Sequence, residues 1–203
     1  MKPFPPLDVL SVSSYLQQSK IEHDIFDSTF SNYQTLTQQI LQKKYDEIGI
    51  FSNTATNKNV LKLIQFIRSG NESKETTIVV FGPNAQIHAE EYIEYGANMV
   101  IIGESEETMK DLINTLSNPL NPFLDKVSGI AFKNYFGKII YTPERDLIEA
   151  NVLPFPNRGR IDINKYLIKW KSKHRKTALN INTKYQQRSG QNICDELEEI
   201  QNT

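Results

Sequence analysis

Three short stretches of polar and small residues each follow a predicted strand, and their residue types suit ligand binding. They are Ser52, Asn53 and Thr54; Gly82, Pro83 and Asn84; and Gly103, Glu104, Ser105 and Glu106. Hydroxyl and amide side chains can hydrogen-bond the polar edge of a ligand, and glycine lets the backbone approach a large planar one. Because ligands of open α/β sheets bind beyond the carboxyl ends of the strands, these residues are predicted to line one binding edge.

The same stretches also have a purely structural interpretation. Glycine, proline and serine form turns and cap helices, and this explains each stretch taken singly. Glu104 and Glu106 could do acid–base work, but acidic residues at a helix start also suit the helix dipole, which is the favoured interpretation. Only the combination of three stretches favours ligand binding, and no catalytic residue is predicted.

Other residues with chemical potential are scattered. His23, His88 and His174 lie far apart in the sequence, so surface or core positions are favoured over metal ligation for each. The single cysteine, Cys194, can form neither an internal disulfide nor a site built from several thiolates. No metal ligand is predicted, and the lone thiol fits a reducing compartment.

Composition and motifs exclude several classes of function. Lys and Arg total 23 against 24 Asp and Glu, so net charge gives no attraction to nucleic acid or an anionic membrane. No apolar run approaches the roughly 20 residues that span a bilayer, and the N-terminus lacks a signal-peptide core, which predicts a cytoplasmic protein. The end of the strand at 47–51 carries no acid for a phospho-receiver, and no Gly-x-Gly-x-x-Gly run suits a dinucleotide.

Alternating strand and helix patterns predict an α/β fold. Strands are predicted at 23–27, 47–51, 77–81 and 98–102, and helices at Tyr33–Lys44, Asn57–Ser69, Gln86–Tyr95 and Glu106–Leu116. Such alternation is typical of a parallel sheet covered on both faces. A hairpin turning at Asn134–Gly137 is predicted as an annex to this sheet, and the two prolines of LPFP indicate a linker. Predicted domain boundaries are therefore 1–125, 126–157 and 158–203.

In order and spacing, these pieces resemble the N-terminal half of cobalamin-binding radical S-adenosylmethionine (SAM) proteins. PPLDVLSVSSYLQQSKIEHDIFD is similar to that family's proline-led first helix and second strand, and FGPNA and GESE resemble its GGPHA and GEGE stretches. VSGIAFKNYFGKIIYTPERDLIEANVLPFPNR is similar to its hairpin and LPFP connector. The resemblance implies a Rossmann-like, flavodoxin-like domain with cobalamin at its strand ends, followed by a partial barrel that binds a [4Fe–4S] cluster through Cys-x-x-x-Cys-x-x-Cys.

Two departures from the family pattern bear on chemistry. ALNINT at 178–183 resembles the first barrel strand, but a helix-like stretch follows it directly, so the three-cysteine loop is expected to be missing. A [4Fe–4S] cluster and SAM are therefore not expected in this chain, and Cys194 is predicted to be a small buried or half-buried hydrophobe. The family's first strand is also expected to be missing, so that strands 23–27 and 47–51 must pair directly or leave backbone groups unsatisfied.

The cofactor-binding residues implied by the resemblance are the three stretches described above. Asn84 stands where the family has histidine, and Ser105 where it has glycine, which could crowd the ligand. The Asp-x-His-x-x-Gly loop, which supplies a histidine to cobalt in some relatives, has no counterpart here. Cobalamin is thus expected to bind without a protein histidine on the metal, in a domain that is truncated and not itself catalytic.

Alternatives remain open at this point. The chain could be a degenerate α/β domain, without chemistry, that acts as an interaction partner or retains no function. Nucleic-acid binding is disfavoured, although residues 158–188 hold ten Lys or Arg against one acid, with Tyr166, Trp170 and Tyr185 interleaved. The C-terminal helix carries an apolar stripe of Ile193, Leu197 and Ile200, which predicts self-association.

Overall fold

The computed structural model describes residues 3–70, 75–118, 123–181 and 188–201. Its helices and strands, in chain order, are α1 (Leu7–Gln18), α2 (Tyr33–Lys43), β1 (Glu47–Phe51), α3 (Asn57–Ser69), β2 (Thr77–Phe81), α4 (Pro83–Ile87), α5 (Ala89–Glu94), β3 (Met99–Ile101), α6 (Glu106–Leu116), β4 (Ile130–Lys133), β5 (Ile139–Tyr141), α7 (Ile163–His174) and α8 (Gly190–Gln201). The chain forms two compact units. We call Tyr33–Asp146 the sheet unit, and Met1–Asn32 with Leu147–Thr203 the terminal unit.

The sheet unit contains five strands in the order β1-β2-β3-β4-β5. Strands β1, β2 and β3 run parallel, as their helical connections require, whereas β4 is antiparallel to both β3 and β5. The α/β class and the hairpin are therefore confirmed. The hairpin is not an annex, however, because β4 pairs with β3 and extends the same sheet into a mixed one. The two compact units thus divide the chain at positions other than the predicted domain boundaries. Those boundaries stay a prediction.

Alternating side chains of β2, the second of the five strands, point to opposite faces of the sheet. Ile78 and Val80 join one buried cluster, which helix α3 covers with Ile64 and Ile67. All four of these side chains are buried, and burying each contributes roughly 1.5–3 kcal/mol. On the opposite face, a Cβ added at Gly49 would lie 3.2 Å from Met109 Cε of α6. Helices on both faces of the strands are the prediction that the sequence pattern made.

The prediction of a strand at 23–27 was wrong. Residues 21–27 form neither helix nor strand, and β1 pairs with β2 as its strand neighbour in the described parts of the chain. Side chains take the place of a strand ladder here: the Arg160 guanidinium donates to the His23 carbonyl oxygen at 2.6 Å, and Asp27 accepts from the Thr29 amide. The His23 ring lies 2.7 Å from Ser13 Oγ. This histidine is thus a hydrogen-bonding residue of the terminal unit.

The helix predicted at Gln86–Tyr95 is divided in two. Helix α4 begins at Pro83, whose missing amide hydrogen costs nothing in the first helical turn, and the chain bends at His88 before α5 begins. The proline that sequence analysis assigned to a turn therefore also starts a helix. As a result, α5 carries its buried residues Ala89, Tyr92 and Ile93 on a separate short axis.

A buried ion cluster organises the terminal unit. The Glu196 carboxylate of α8 is fully buried and lies 2.7 Å from the Arg158 guanidinium and 2.5 Å from that of Arg188. Pairing of this kind is what makes burial of a carboxylate tolerable. The buried contact of α8 is thus ionic, while Leu197 is 42% exposed. Cys194 is exposed as well, so its predicted burial was wrong.

Aromatic residues of the segment 158–188, which is rich in Lys and Arg, also have partners within the terminal unit. The Tyr166 hydroxyl donates to Asp27 Oδ2 at 2.6 Å, and burial followed by this hydrogen bond raises the pKa of Tyr166. The Trp170 indole N–H donates to the Pro3 carbonyl oxygen at 2.7 Å. Tyr185 and the end of the strand predicted at 178–183 lie outside the described residues; residues 177–181 form no helix or strand. None of the helices described here has the length and apolarity needed to cross a membrane.

We expect Glu196→Gln to destabilise the protein by about 3–5 kcal/mol, because it leaves the buried Arg158 and the half-buried Arg188 without their carboxylate. Urea denaturation of the purified chain measures this loss. The control is Glu198→Gln, an exposed residue of the same helix, which should change the free energy of unfolding by less than about 0.5 kcal/mol. Equal stabilities for the two variants would contradict an organising role for the ion cluster.

Candidate functional site

The carboxyl ends of three parallel strands bring the three predicted stretches to one edge of the sheet. Register pairs Phe51 with Phe81 at the ends of β1 and β2, and Val80 with Val100 of β3. Residues 52–54, 82–84 and 103–106 follow these strands directly, and together we call them the rim. The predicted placement of all three stretches at one edge is thus what the strand directions produce.

Backbone hydrogen bonds join the first two stretches of the rim. The Ser52 amide donates to the Phe81 carbonyl oxygen at 2.8 Å, and the Asn84 amide donates to the Ser52 carbonyl oxygen at 3.2 Å. These bonds continue the ladder between β1 and β2 past the last paired residues. The stretches after β1 and β2 therefore form one continuous ledge of backbone.

Side chains join the same two stretches through Tyr92 of α5, which is fully buried. Its phenol oxygen lies 2.6 Å from Ser52 Oγ, accepts from Asn84 Nδ2 at 2.7 Å, and donates to Asn57 Oδ1 at 2.6 Å. We call these four residues the Tyr92 network. Sequence analysis did not single out Tyr92 or Asn57. A tyrosine between Ala89 and Ile93 at helical spacing indicates only a core position, and its hydroxyl partners come from distant segments.

Asn53 organises the turn that leads from β1 into α3. Its side-chain oxygen accepts from the Ala55 amide at 3.0 Å and from the Thr56 amide at 3.1 Å, while its own amide donates to Thr56 Oγ1 at 3.0 Å. This reciprocal arrangement closes the turn just before α3, which itself has no side-chain cap. The structural interpretation of Asn53 is therefore satisfied, and its side-chain oxygen is already engaged.

The third stretch is held from the other side, by the hairpin. The Ile102 amide donates to the Gly129 carbonyl oxygen at 2.8 Å, just before the rim residue Gly103. Beyond the hairpin, the Arg145 guanidinium lies 2.9 Å from Glu107, donates to Thr108 Oγ1 at 3.0 Å and pairs with Asp111. These contacts fasten the first turns of α6, where Ser105 and Glu106 lie. Sequence analysis did not identify Arg145 as a contributor.

The predicted rim residues differ in accessibility. Ser52 and Asn84 are buried and engaged by Tyr92, so their polar atoms face the protein. Thr54, Pro83 and Gly103 are exposed. The remaining positions are intermediate: Asn53, Gly82, Glu104, Ser105 and Glu106.

The two rim glycines serve different purposes. Gly82 has φ +101, and a Cβ added there would lie 2.7 Å from both the Phe51 ring and the Ser52 carbonyl oxygen. Packing of the protein itself therefore demands glycine at this position. Gly103 has φ +90, but a Cβ added there would meet no atom within 4 Å. Its backbone borders open space, which is the condition that a large ligand needs for close approach.

The chemistry available at the rim is hydrogen bonding and close backbone approach. Among the residues that the structure describes, no group of three or more His, Cys, Asp or Glu could hold a metal ion. His88, at the junction of α4 and α5, lies 3.9 Å from Glu91 on the helix surface.

Comparison with protein families identifies the domain family of this chain. The model described as the B12 binding domain matches residues 2–113, more than half of the chain and the part that holds the whole rim. The chain belongs to the B12-binding domain family. The family assignment of the sequence analysis is thus confirmed at the level of this domain. No curated protein matches the chain.

Solved structures share the fold of this B12-binding domain. The cobalamin-dependent SAM radical enzyme OxsB with aqua-cobalamin and SAM bound aligns with a TM-score of 0.73, at 23% identity, over 89% of this chain. OxsB with aqua-cobalamin alone gives 0.70, also at 23% identity, over 84%. The radical SAM methyltransferase TsrM from Kitasatospora setae, with cobalamin and a [4Fe–4S] cluster bound, gives 0.60 at 14% identity over 79%. The chain spans 23–24% of OxsB and 31% of TsrM.

We expect Gly82→Ala to destabilise the B12-binding domain more than Gly103→Ala. Both positions have positive φ, which alanine rarely adopts, but only the Gly82 variant also places a methyl group against Phe51 and the Ser52 carbonyl. Thermal unfolding of the two variants beside the parent chain measures the difference. Equal melting temperatures would show that the ledge between β1 and β2 yields to a side chain.

Proposed function

We propose that this chain binds cobalamin at the rim and serves as the cofactor-binding part of a radical SAM-type system without catalysing radical chemistry itself. The match of the B12-binding domain to residues 2–113 carries the proposal. The rim also fits a large planar ligand, because the backbone at Gly103 borders open space. Thr54 and Pro83 add exposed surface at the same edge, and Thr54 can hydrogen-bond the side-chain amides of a corrin.

Each stretch of the rim contributes differently to the proposed site. The backbone ledge after β1 and β2 forms a floor whose position is fixed by the amides of Ser52 and Asn84. Gly103 provides the point of closest backbone approach. Glu104, Ser105 and Glu106 flank it at intermediate exposure, and the Ser105 hydroxyl, where relatives have glycine, adds one polar group beside the ligand.

The number of cysteines supports the proposal that this chain binds cobalamin without catalysing radical chemistry. A [4Fe–4S] cluster that activates SAM is held by three thiolates, and this chain contains Cys194 alone. Cys194 lies exposed on α8, in the terminal unit, whereas the rim belongs to the sheet unit. Cobalamin when bound would supply cobalt-centred chemistry, while the residues of this chain would bind and orient it. A protein partner or a further polypeptide segment would supply the radical chemistry.

Titration of the purified chain with hydroxocobalamin tests the proposed function. We expect saturable binding below tens of micromolar, seen as a shift of the visible absorption bands, and retention of the cofactor on gel filtration. No shift at that concentration would overturn the proposal and favour the alternative of a domain that has lost its ligand. A cooperative melting curve recorded alongside establishes that the protein tested is folded.

A matched pair of glycine variants locates the binding edge. Gly103→Leu should abolish hydroxocobalamin binding, because the new side chain occupies open space that the proposal assigns to the cofactor. The control is Gly137→Leu in the hairpin turn, where φ is also positive and an added Cβ likewise meets nothing within 4 Å. Both substitutions place leucine at a positive φ in open space, so similar melting temperatures are expected. Equal loss of binding in both variants, or in neither, would contradict this location of the site.

A further inference from the structure

We propose that Tyr92 is a positioning residue of the rim: its phenol oxygen holds the two stretches after β1 and β2 in the arrangement that receives the cofactor. This inference rests on the proposed cobalamin function and adds a residue that lies outside the predicted binding stretches. It is argued from the four members of the Tyr92 network, all of which belong to the sheet unit.

A count of protons fixes the direction of every bond in the network. The Asn57 side-chain oxygen can only accept, so it takes the single hydroxyl proton of Tyr92. The Asn84 amide can only donate, so it fills one acceptor site on the phenol oxygen. The remaining contact, 2.6 Å from Ser52 Oγ, therefore has Ser52 as donor. Tyr92 thus donates one bond and accepts two, which saturates an oxygen with no exposure to water.

The consequence for the rim is that Ser52 and Asn84 point inward. The Ser52 hydroxyl proton and one Asn84 amide proton are committed to Tyr92, so these residues are fixed supports of the rim. The outward surface is left to the backbone and to exposed residues such as Thr54 and Pro83. The Ser52 carbonyl oxygen also accepts a hydrogen bond from the backbone amide of Asn84. Side chains and backbone therefore hold the same two stretches together.

The network also fixes the start of α3. Asn57 is the first residue of that helix, and its bond to Tyr92 ties the helix to α5 across the ends of β1 and β2. Two stretches that are distant in sequence, 52–57 and 84–92, thus meet at one atom. A phenylalanine at position 92 would fill the same apolar space but leave two buried polar side chains, Ser52 and Asn84, and the half-buried Asn57 without their partner, each at a cost.

The test compares Tyr92→Phe with Tyr95→Phe, which removes a phenol hydroxyl from an exposed residue at the end of the same helix. Hydroxocobalamin is titrated at a temperature at which each variant is fully folded by its own melting curve. Loss of the positioned rim should weaken binding by Tyr92→Phe about tenfold, the equivalent of one to two hydrogen bonds, and Tyr95→Phe should stay within about twofold of the parent.

A coupling measurement separates positioning from general stability. If Tyr92 acts through Ser52, then Ser52→Ala weakens hydroxocobalamin binding in the parent chain but adds nothing in the Tyr92→Phe background. The side-chain amide resonances of Asn84 in a ¹⁵N-correlated NMR spectrum should shift in Tyr92→Phe and stay in place in Tyr95→Phe. A merely structural tyrosine would lower the melting temperature and leave both the affinity and this coupling unchanged.

The outcomes distinguish this inference from the proposed function. If the parent chain does not bind hydroxocobalamin, the proposed function fails and this inference fails with it. If the parent binds and Tyr92→Phe binds equally well, or if the Ser52 and Tyr92 effects on affinity simply add, the positioning role alone is overturned. Should Tyr92→Phe fail to fold, Asn57→Ala keeps the phenol and removes only its acceptor. Parent-like affinity in that variant would also overturn the role.

Discussion

One buried oxygen, that of the Tyr92 phenol, is the constraint on which the candidate site depends. It bonds Ser52, Asn84 and Asn57, which come from three different segments, at distances of 2.6–2.7 Å. A polar group without exposure to water is costly unless it is fully hydrogen-bonded, and this one has its donor and both acceptor positions filled. The network is therefore all or none. That property suits an edge that must keep its form whether or not a ligand is present.

The rest of the sheet unit supports this edge by fastening its two sides separately. Backbone bonds extend the pairing of β1 and β2 into the first two stretches, whereas the third stretch depends on Gly129 of the hairpin and on Arg145. Arg145 lies between Glu107 and Asp111 with its side chain 14% exposed, so the hairpin exit and α6 are joined by charge. The residues that flank the antiparallel strands β4 and β5 thus help to hold the rim, although they supply no rim residue.

In the terminal unit, too, a buried polar group has its partners, but here the groups are charged: a carboxylate and two guanidinium groups. Glu196 is buried between Arg158 and Arg188, and the helix that carries it turns Leu197 partly outward. The buried carboxylate of Glu196 with its two guanidinium partners lies on the inner face of this short helix. Leu197 is exposed, and self-association through this helix stays a prediction.

Local sequence patterns by themselves determined the elements of the sheet unit and the position of the rim. Helical periodicity placed α3 and α6 correctly, β-branched runs placed β1 to β3, and strand direction then required the three polar stretches to share an edge. These features follow from interactions between near neighbours. Tertiary structure alone decided the rest. Residues 21–27 form no strand, and Arg160, distant in sequence, bonds the His23 carbonyl; Ser52 bonds the buried Tyr92 phenol. Hydrogen bonds between residues far apart in the chain leave no periodic trace in the sequence, so only the folded chain shows them.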